Sequence, residues 1–178
     1  MNQIVSQSAA TQRVYTSMDL FSGCGGLTKG FSWAGVKSIF ASDIDENCEK
    51  TFKRNFPGTP FLCKDITLIT KDEVDTLTGG VIPDMIIGGP PCQGFSLANK
   101  RRNQIADDPR NKLFYGFVKF INWYSPKAFV MENVKGLLSM QHGQVIQTIV
   151  DEFSNAGAFG YNVAYKVLTA SDYGVPQN

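Results

Sequence analysis

Histidine occurs once in these 178 residues, at position 142, and the four cysteines at 24, 48, 63 and 92 include no Cys-x-x-Cys pair. A structural zinc site draws on several such ligands at short spacings, so no metal centre is expected. Residues 1–12 are polar, with neither the basic start nor the apolar stretch of an export signal, and no apolar run approaches the length that spans a bilayer. A cytoplasmic protein with reduced thiols is the expectation. The chain also lacks internal repeats, low-complexity tracts and linkers. Its formal net charge of +1 neither demands nor excludes a nucleic-acid partner, because what matters is where the basic groups lie. Two phosphate-binding signatures are missing as well: there is no Gly-x-Gly-x-x-Gly fingerprint and no Gly-Lys-Ser/Thr, so neither a dinucleotide cradle nor a P-loop is supported.

Core-forming material is plentiful. Hydrophobic residues make up 43% of the chain and aromatics 12%, ample for one domain of this length. Strand and helix signals alternate from residue 14 onward, the pattern of an α/β fold with a mostly parallel sheet and covering helices. Residues 14–21 read as a first strand, the glycine-rich turn Ser22-Gly23-Cys24-Gly25-Gly26 comes next, and Leu27, Phe31 and Ala34 recur at helical spacing until Gly35. Residues 38–42 make a second strand ended by Asp43. Asp45 caps a helix carrying Cys48, Phe52 and Phe56, closed by Pro57-Gly58. A short strand around Phe61-Leu62 leads to Asp65. Further on, residues 113–124 and 145–153 read as apolar helices, Met85-Ile86-Ile87 and residues 128–131 as buried strands, and residues 161–168 as a late strand.

Chemistry concentrates where these strands end. Gly88-Gly89-Pro90-Pro91-Cys92-Gln93-Gly94-Phe95-Ser96 sets one thiol in a stiff turn directly after an apolar strand, an arrangement that suits a nucleophile and equally accommodates a buried structural cysteine. Open α/β sheets bind ligands at the carboxyl ends of their strands. Residues 128–131 end in Glu132, which is either a partly desolvated acid facing Cys92 across one crevice, or a residue that caps the following helix or is simply solvated. The first strand, glycine turn, helix and second strand ending in Asp43 form half of a nucleotide-binding unit. Glycines admit a ligand to the backbone, and a strand-end carboxylate accepts ribose hydroxyls, so adenosine without a pyrophosphate fits best.

With these segments together, the chain resembles the N-terminal catalytic portion of a DNA (cytosine-5) methyltransferase. Residues 19–26 resemble that family's first motif, residues 89–96 its nucleophile motif, Met131-Glu132-Asn133-Val134 its glutamate motif, and residues 172–177 the start of a later one. The resemblance implies a Rossmann-like methyltransferase fold that uses S-adenosylmethionine. It implies a cofactor pocket lined by Phe21, Gly23, Cys24 and Gly26, with Asp43 on the ribose and Ile44 on the adenine. Asp65 and Ile66 complete the adenine site, and Pro91 and Leu113 lie near the methionine end. Cys92 is the implied nucleophile and Glu132 its acidic partner, acting on a cytosine flipped out of duplex DNA. Gln93, Ser96, Lys100, Arg101, Arg110 and Asn133 are the implied DNA contacts, most of them in a loop that closes over the duplex.

The resemblance also implies what to expect of the whole. Residues 1–13 read as a flexible tail and 14–178 as a partial catalytic domain, without the target recognition domain of the family. A first motif so near Met1 suggests a bacterial restriction-modification system. The missing C-terminal portion, or a complementary second chain, is an expected partner, and the isolated chain is expected to methylate DNA poorly or not at all. Two other readings remain open at this point: an RNA cytosine-5 methyltransferase built on the same motifs, and a noncatalytic subunit that binds S-adenosylmethionine.

Overall fold

The computed structural model describes residues 13–91 and 112–177. Cys92, Gln93, Ser96, Lys100, Arg101 and Arg110 lie outside the described residues, as does all but the last residue of the expected N-terminal tail. Five strands form one parallel sheet: β1 (Tyr15–Leu20), β2 (Val36–Asp43), β3 (Phe61–Cys63), β4 (Met85–Gly88) and β5 (Ala128–Met131), in the order β3-β2-β1-β4-β5. The connections carry α1 (Gly26–Trp33), α2 (Glu46–Asn55), α3 (Lys71–Thr78) and α4 (Lys112–Tyr124), and α5 (Gln144–Ser154) comes after β5. Strand order reverses between β1 and β4, which opens a crevice at their carboxyl ends.

Both faces of the sheet are covered, and for that reason β4 is apolar throughout rather than alternating, while β1 and β2 bury Ser17, Asp19, Ser38 and Ser42 beside their apolar residues. Ile86 and Ile87 point to opposite faces of β4 and both are fully buried. Asp19, Ala41 and Phe61 share one row, and Ala41 and Phe61 pack with Phe52 of α2. Met18, Leu20, Phe40 and Ile86 face the larger core, built from Val74 of α3, the Phe114, Phe117, Phe120, Ile121 and Tyr124 stripe of α4, and Ile149 and Phe153 of α5. The register slips by one residue between Ser17 and Met18 against β2, which keeps Met18 opposite Phe40 on that face.

Two features differ from the sequence reading. Residues 161–168 form no strand, although they run beside the outer edge of β5 and share a groove with it. Their alternation lacks a partner ladder: Tyr161 turns inward, its ring 5.1 Å from Phe129 and its hydroxyl donating to the Pro126 carbonyl at 2.7 Å, while Tyr165 and Leu168 stay exposed. Helix α3 is the second difference, because its apolar stripe is too thin to announce a helix. Its signal is a capping box: the Glu73 N–H donates to Thr70 Oγ1, and the Glu73 carboxylate accepts from the Thr70 N–H at 2.8 Å.

The amino ends of the strands are tied together by Asp84. Its carboxylate accepts from Lys127 and Arg13 at 2.7 Å each and from the Thr16 N–H at 3.0 Å. The Lys127 hydrogen bond, with Thr16 and the charge of Arg13, pulls the carboxyl from its ordinary 3.8 to about 2. Such a group stabilises the fold above the unfolded-state value and loses that contribution as pH falls through the folded one. Acid unfolding monitored by circular dichroism should therefore fall in the window between about pH 4 and 2, and Asp84→Asn should shift its midpoint upward.

Candidate active site

Immediately past β1, Phe21 adopts φ of 57°, a conformation costly for a side chain of that size, and Gly23 (53°) and Gly25 (92°) complete the turn. The Ser22 N–H donates to the Ser42 carbonyl at 3.0 Å and the Gly23 N–H to the Asp43 carboxylate at 2.9 Å, so the turn is pinned to the end of β2. A Cβ at Gly25 would lie 2.4 Å from the Phe56 ring, whereas one at Gly23 or Gly26 would meet nothing within 4 Å. Gly25 therefore serves packing. Gly23 and Gly26, with exposed Cys24 between them, front open space where a ligand can approach the backbone.

The second oxygen of Asp43 accepts from the Asp45 N–H at 3.0 Å. Backbone donors thus fix both carboxylate oxygens, and each keeps a lone pair for a hydroxyl. Next to it Ile44 is 69% exposed, an apolar side chain standing in solvent at a strand end. Asp65, past β3, caps the short 3-10 turn Ile66–Leu68 by accepting from the Thr67 N–H and hydroxyl at 2.8 Å. Ile66 is buried against Gly116 of α4, so toward a ligand it presents backbone and not side chain.

Asp19 heads the segment that resembles the family's first motif, but the resemblance gives it no role. It is fully buried on β1 and accepts from the Thr28 N–H at 3.1 Å and the Thr28 hydroxyl at 2.5 Å. Helix α1 has Gly25 as its N-cap and no capping side chain of its own, so Asp19 reaches across from the sheet to satisfy the helix's first turn. Its other oxygen is buried without a partner, as are the Ser17 and Ser22 hydroxyls. Burial, reinforced by the charge of Asp43 and offset by Thr28, pushes the Asp19 carboxyl from 3.8 to about 7. A raised acid stabilises the fold below the unfolded value and loses that contribution as pH rises toward the folded one. The thermal midpoint is expected to fall between about pH 4 and 7, and Asp19→Asn, which mimics the protonated acid, should flatten that limb.

Across the crevice, the Glu132 N–H donates to the Gly88 carbonyl at 2.9 Å, and Glu132 Oε2 lies 3.0 Å from where a Gly89 Cβ would stand. Asn133 Nδ2 donates to the Pro90 carbonyl at 2.9 Å, and its Oδ1 accepts from the Val134 N–H at 2.9 Å. The two residues after β5 thus grip Gly88–Pro90, the segment that leads into Cys92. Glu132 is exposed, not partly desolvated, and it caps no helix: Val134 is the N-cap of the 3-10 segment Lys135–Gly143. Asn133, implied as a DNA contact, has its amide engaged within the chain. Pro91 is exposed at the crevice, and Leu113 is half-buried at the start of α4. Among the described residues no group of three His, Cys, Asp or Glu side chains is placed to hold a metal ion, and no helix is long and apolar enough to cross a membrane.

Residues 15–178 match the family model described as C-5 cytosine-specific DNA methylase. This chain belongs to that family. Among curated relatives, Type II methyltransferase M.DdeI of Desulfomicrobium norvegicum is 46% identical over 164 residues, covering 90% of this chain and 38% of the relative. Type II methyltransferase M.AquIA of Picosynechococcus is 44% identical over 168 residues, covering 90% of this chain and 66% of that protein. A solved E. coli structure described as a DNA modification methyltransferase encoded within a prophage superposes with a TM-score of 0.65 at 32% identity, covering 79% of this chain and 38% of that one. The cytosine-5 methylase fold is therefore present from β1 to α5, in a chain that spans about two fifths to two thirds of these proteins' lengths.

Proposed function

We propose that this chain is the cofactor-binding and nucleophile-bearing part of a DNA cytosine-5 methyltransferase of a bacterial restriction-modification system. The observation that carries the reading is the grip of Glu132 and Asn133 on Gly88–Pro90. It brings the glutamate at the end of β5 against the strand that delivers Cys92, at the switch point of the sheet.

The residues present fit an adenosyl cofactor. Gly23 and Gly26 front open space where a ligand can approach the backbone, Asp43 is aimed by two backbone donors, and Ile44 offers an apolar face beside it. When bound, S-adenosylmethionine supplies a methyl group made electrophilic by its sulfonium. Asp43 would hold the ribose, Ile44 and the Asp65–Ile66 backbone the adenine, and Pro91 and Leu113 the methionine end. Asp43→Ala should weaken S-adenosylhomocysteine binding about tenfold in calorimetry, the loss expected for hydrogen bonds to a charged acceptor.

Carbon 5 of cytosine is too weak a nucleophile to take a methyl group unaided. Cys92 as thiolate would form a bond to carbon 6, and the ring electrons so displaced make carbon 5 enamine-like. Glu132 would hydrogen-bond the ring nitrogen and exocyclic amine, stabilising the adduct. After methylation, loss of the carbon 5 proton returns the electrons that expel Cys92. Since the atom attacked is inaccessible in a duplex, the base must be flipped out, at a cost of a few kcal/mol.

Gln93, Ser96, Lys100, Arg101 and Arg110 would meet the DNA. Further substrate contacts would come from sequence outside these 178 residues, docking along the unpaired outer edge of β5, where Val130, Val134 and Leu168 are exposed. The direct test is transfer of labelled methyl from S-adenosylmethionine to duplex DNA or to transfer RNA, by this chain with and without the C-terminal portion of a relative. Label in DNA only when both parts are present supports the proposal; label in transfer RNA alone contradicts it.

A further inference from the structure

Lys119, in the middle of α4, is half-buried and commits its ammonium group to one short stretch of backbone. Its Nζ donates to the carbonyls of Ile66 at 2.8 Å, Thr67 at 3.3 Å and Ile69 at 2.9 Å, and stands 4.8 Å from the centre of the Trp123 ring. One ammonium carries three donors, and here all three point at the turn that comes after β3. One helical turn earlier, Gly116 gives that turn room: a Cβ there would lie 2.6 Å from Ile66 Cγ2. Asp65 closes the same turn from the other side through Thr67. The stretch 65–69 has no strand partner beyond Cys63, so these tethers set its shape.

We propose that Lys119 is a positioning residue that holds the 65–69 turn in the form that receives the adenine ring, and so sets selectivity for that base in the cofactor. The inference rests on the cofactor reading above. Lys119 touches no ligand itself. It holds the Ile66, Thr67 and Ile69 carbonyls toward α4, which leaves Asp65 and the rest of the turn's backbone as the groups assigned to the adenine. No motif marks it in the sequence, where a lysine within an apolar helix reads as a solvated position.

Binding of S-adenosylhomocysteine and of S-inosylhomocysteine, which carries hypoxanthine in place of adenine, separates positioning from general support of the fold. The full 178-residue chain should prefer the adenine ligand by about tenfold or more, as expected for a buried hydrogen-bond mismatch. Lys119→Met should weaken S-adenosylhomocysteine about tenfold and collapse the preference to within about threefold, with Lys119→Arg intermediate. A role in stability alone predicts a lower melting temperature and equal losses for both ligands. Equal losses, or no adenine preference in the unsubstituted chain, would overturn the proposal. If Lys119→Met does not give a cooperative melt, Lys119→Arg carries the same comparison. It keeps the charge but cannot place one nitrogen among three carbonyls. Failure of the cofactor reading looks different: the unsubstituted chain then binds neither ligand, or Asp43→Ala leaves binding unchanged, and the inference falls with it.

Discussion

Replacing Cys92 with alanine is expected to abolish methyl transfer by the completed enzyme while leaving S-adenosylhomocysteine binding within about twofold. The asymmetry comes from the separation of roles along the sheet. The proposed ribose and adenine groups are found at or just past the ends of β1, β2 and β3, whereas Cys92 follows β4 in the sequence. Without a sulfur adding to carbon 6 there is no electron-rich carbon 5, and the three cysteines among the described residues, Cys24, Cys48 and Cys63, belong to segments around β1, β2 and β3 rather than to the one after β4. Glu132→Gln keeps the hydrogen-bonding shape but loses the carboxylate, and should lower kcat by about a hundredfold with little change in cofactor affinity. Single-turnover assays with labelled cofactor, paired with calorimetry, check both. A Cys92→Ala protein that still methylates DNA would remove the covalent mechanism.

Gly88→Ala should be among the most destabilising single substitutions in the chain. A Cβ at this position would stand 2.2 Å from the Leu20 carbonyl oxygen, 3.0 Å from its carbon and 3.2 Å from the Phe117 ring. The nearest obstacle is backbone of the neighbouring strand, so no rotamer change relieves it. Gly88 also pairs with Leu20 on one side and Met131 on the other, and any retreat must therefore part β4 from β1 or β5. Overpacking of this kind costs about 3 kcal/mol or more. The urea midpoint should drop accordingly, and activity should fall with it, because Leu20 leads into the Phe21–Gly26 turn and Gly88 leads into the Cys92 loop. Gly23→Ala is the natural comparison: open space surrounds its Cβ, and only the positive φ is strained.

The sequence carried the parallel sheet because strand and helix signals alternate along it and β4 is a continuous apolar run, and it carried α2, α4 and α5 because their apolar residues repeat at helical spacing. The candidate residues named from the sequence stand at or just past strand ends: Gly23 after β1, Asp43 at the end of β2, Asp65 after β3 and Glu132 after β5. Contacts made at a distance were not legible. Asp19 looks like one more strand residue until Thr28, nine positions on, is brought over it. Lys119 looks solvated until the 65–69 turn folds against α4, about fifty positions earlier in the chain. The alternation at 161–168 misled because a period of two states which residues share a face and says nothing of whether a partner edge is in register. Ile66 belongs to the same lesson, since the Gly116 notch that takes its side chain into the core lies about fifty positions further along the chain.

Trapping on duplex DNA that contains 5-fluorocytosine, in the presence of S-adenosylmethionine, tests the central claim most directly. Fluorine at carbon 5 cannot leave as a proton does, so an enzyme that bonds carbon 6 through sulfur stalls as a stable protein–DNA adduct. This chain, supplied with the C-terminal portion of a relative, should give a denaturation-resistant adduct that Cys92→Ala eliminates and Asp43→Ala diminishes. Absence of any adduct on DNA, or an adduct that survives Cys92→Ala, would contradict the account.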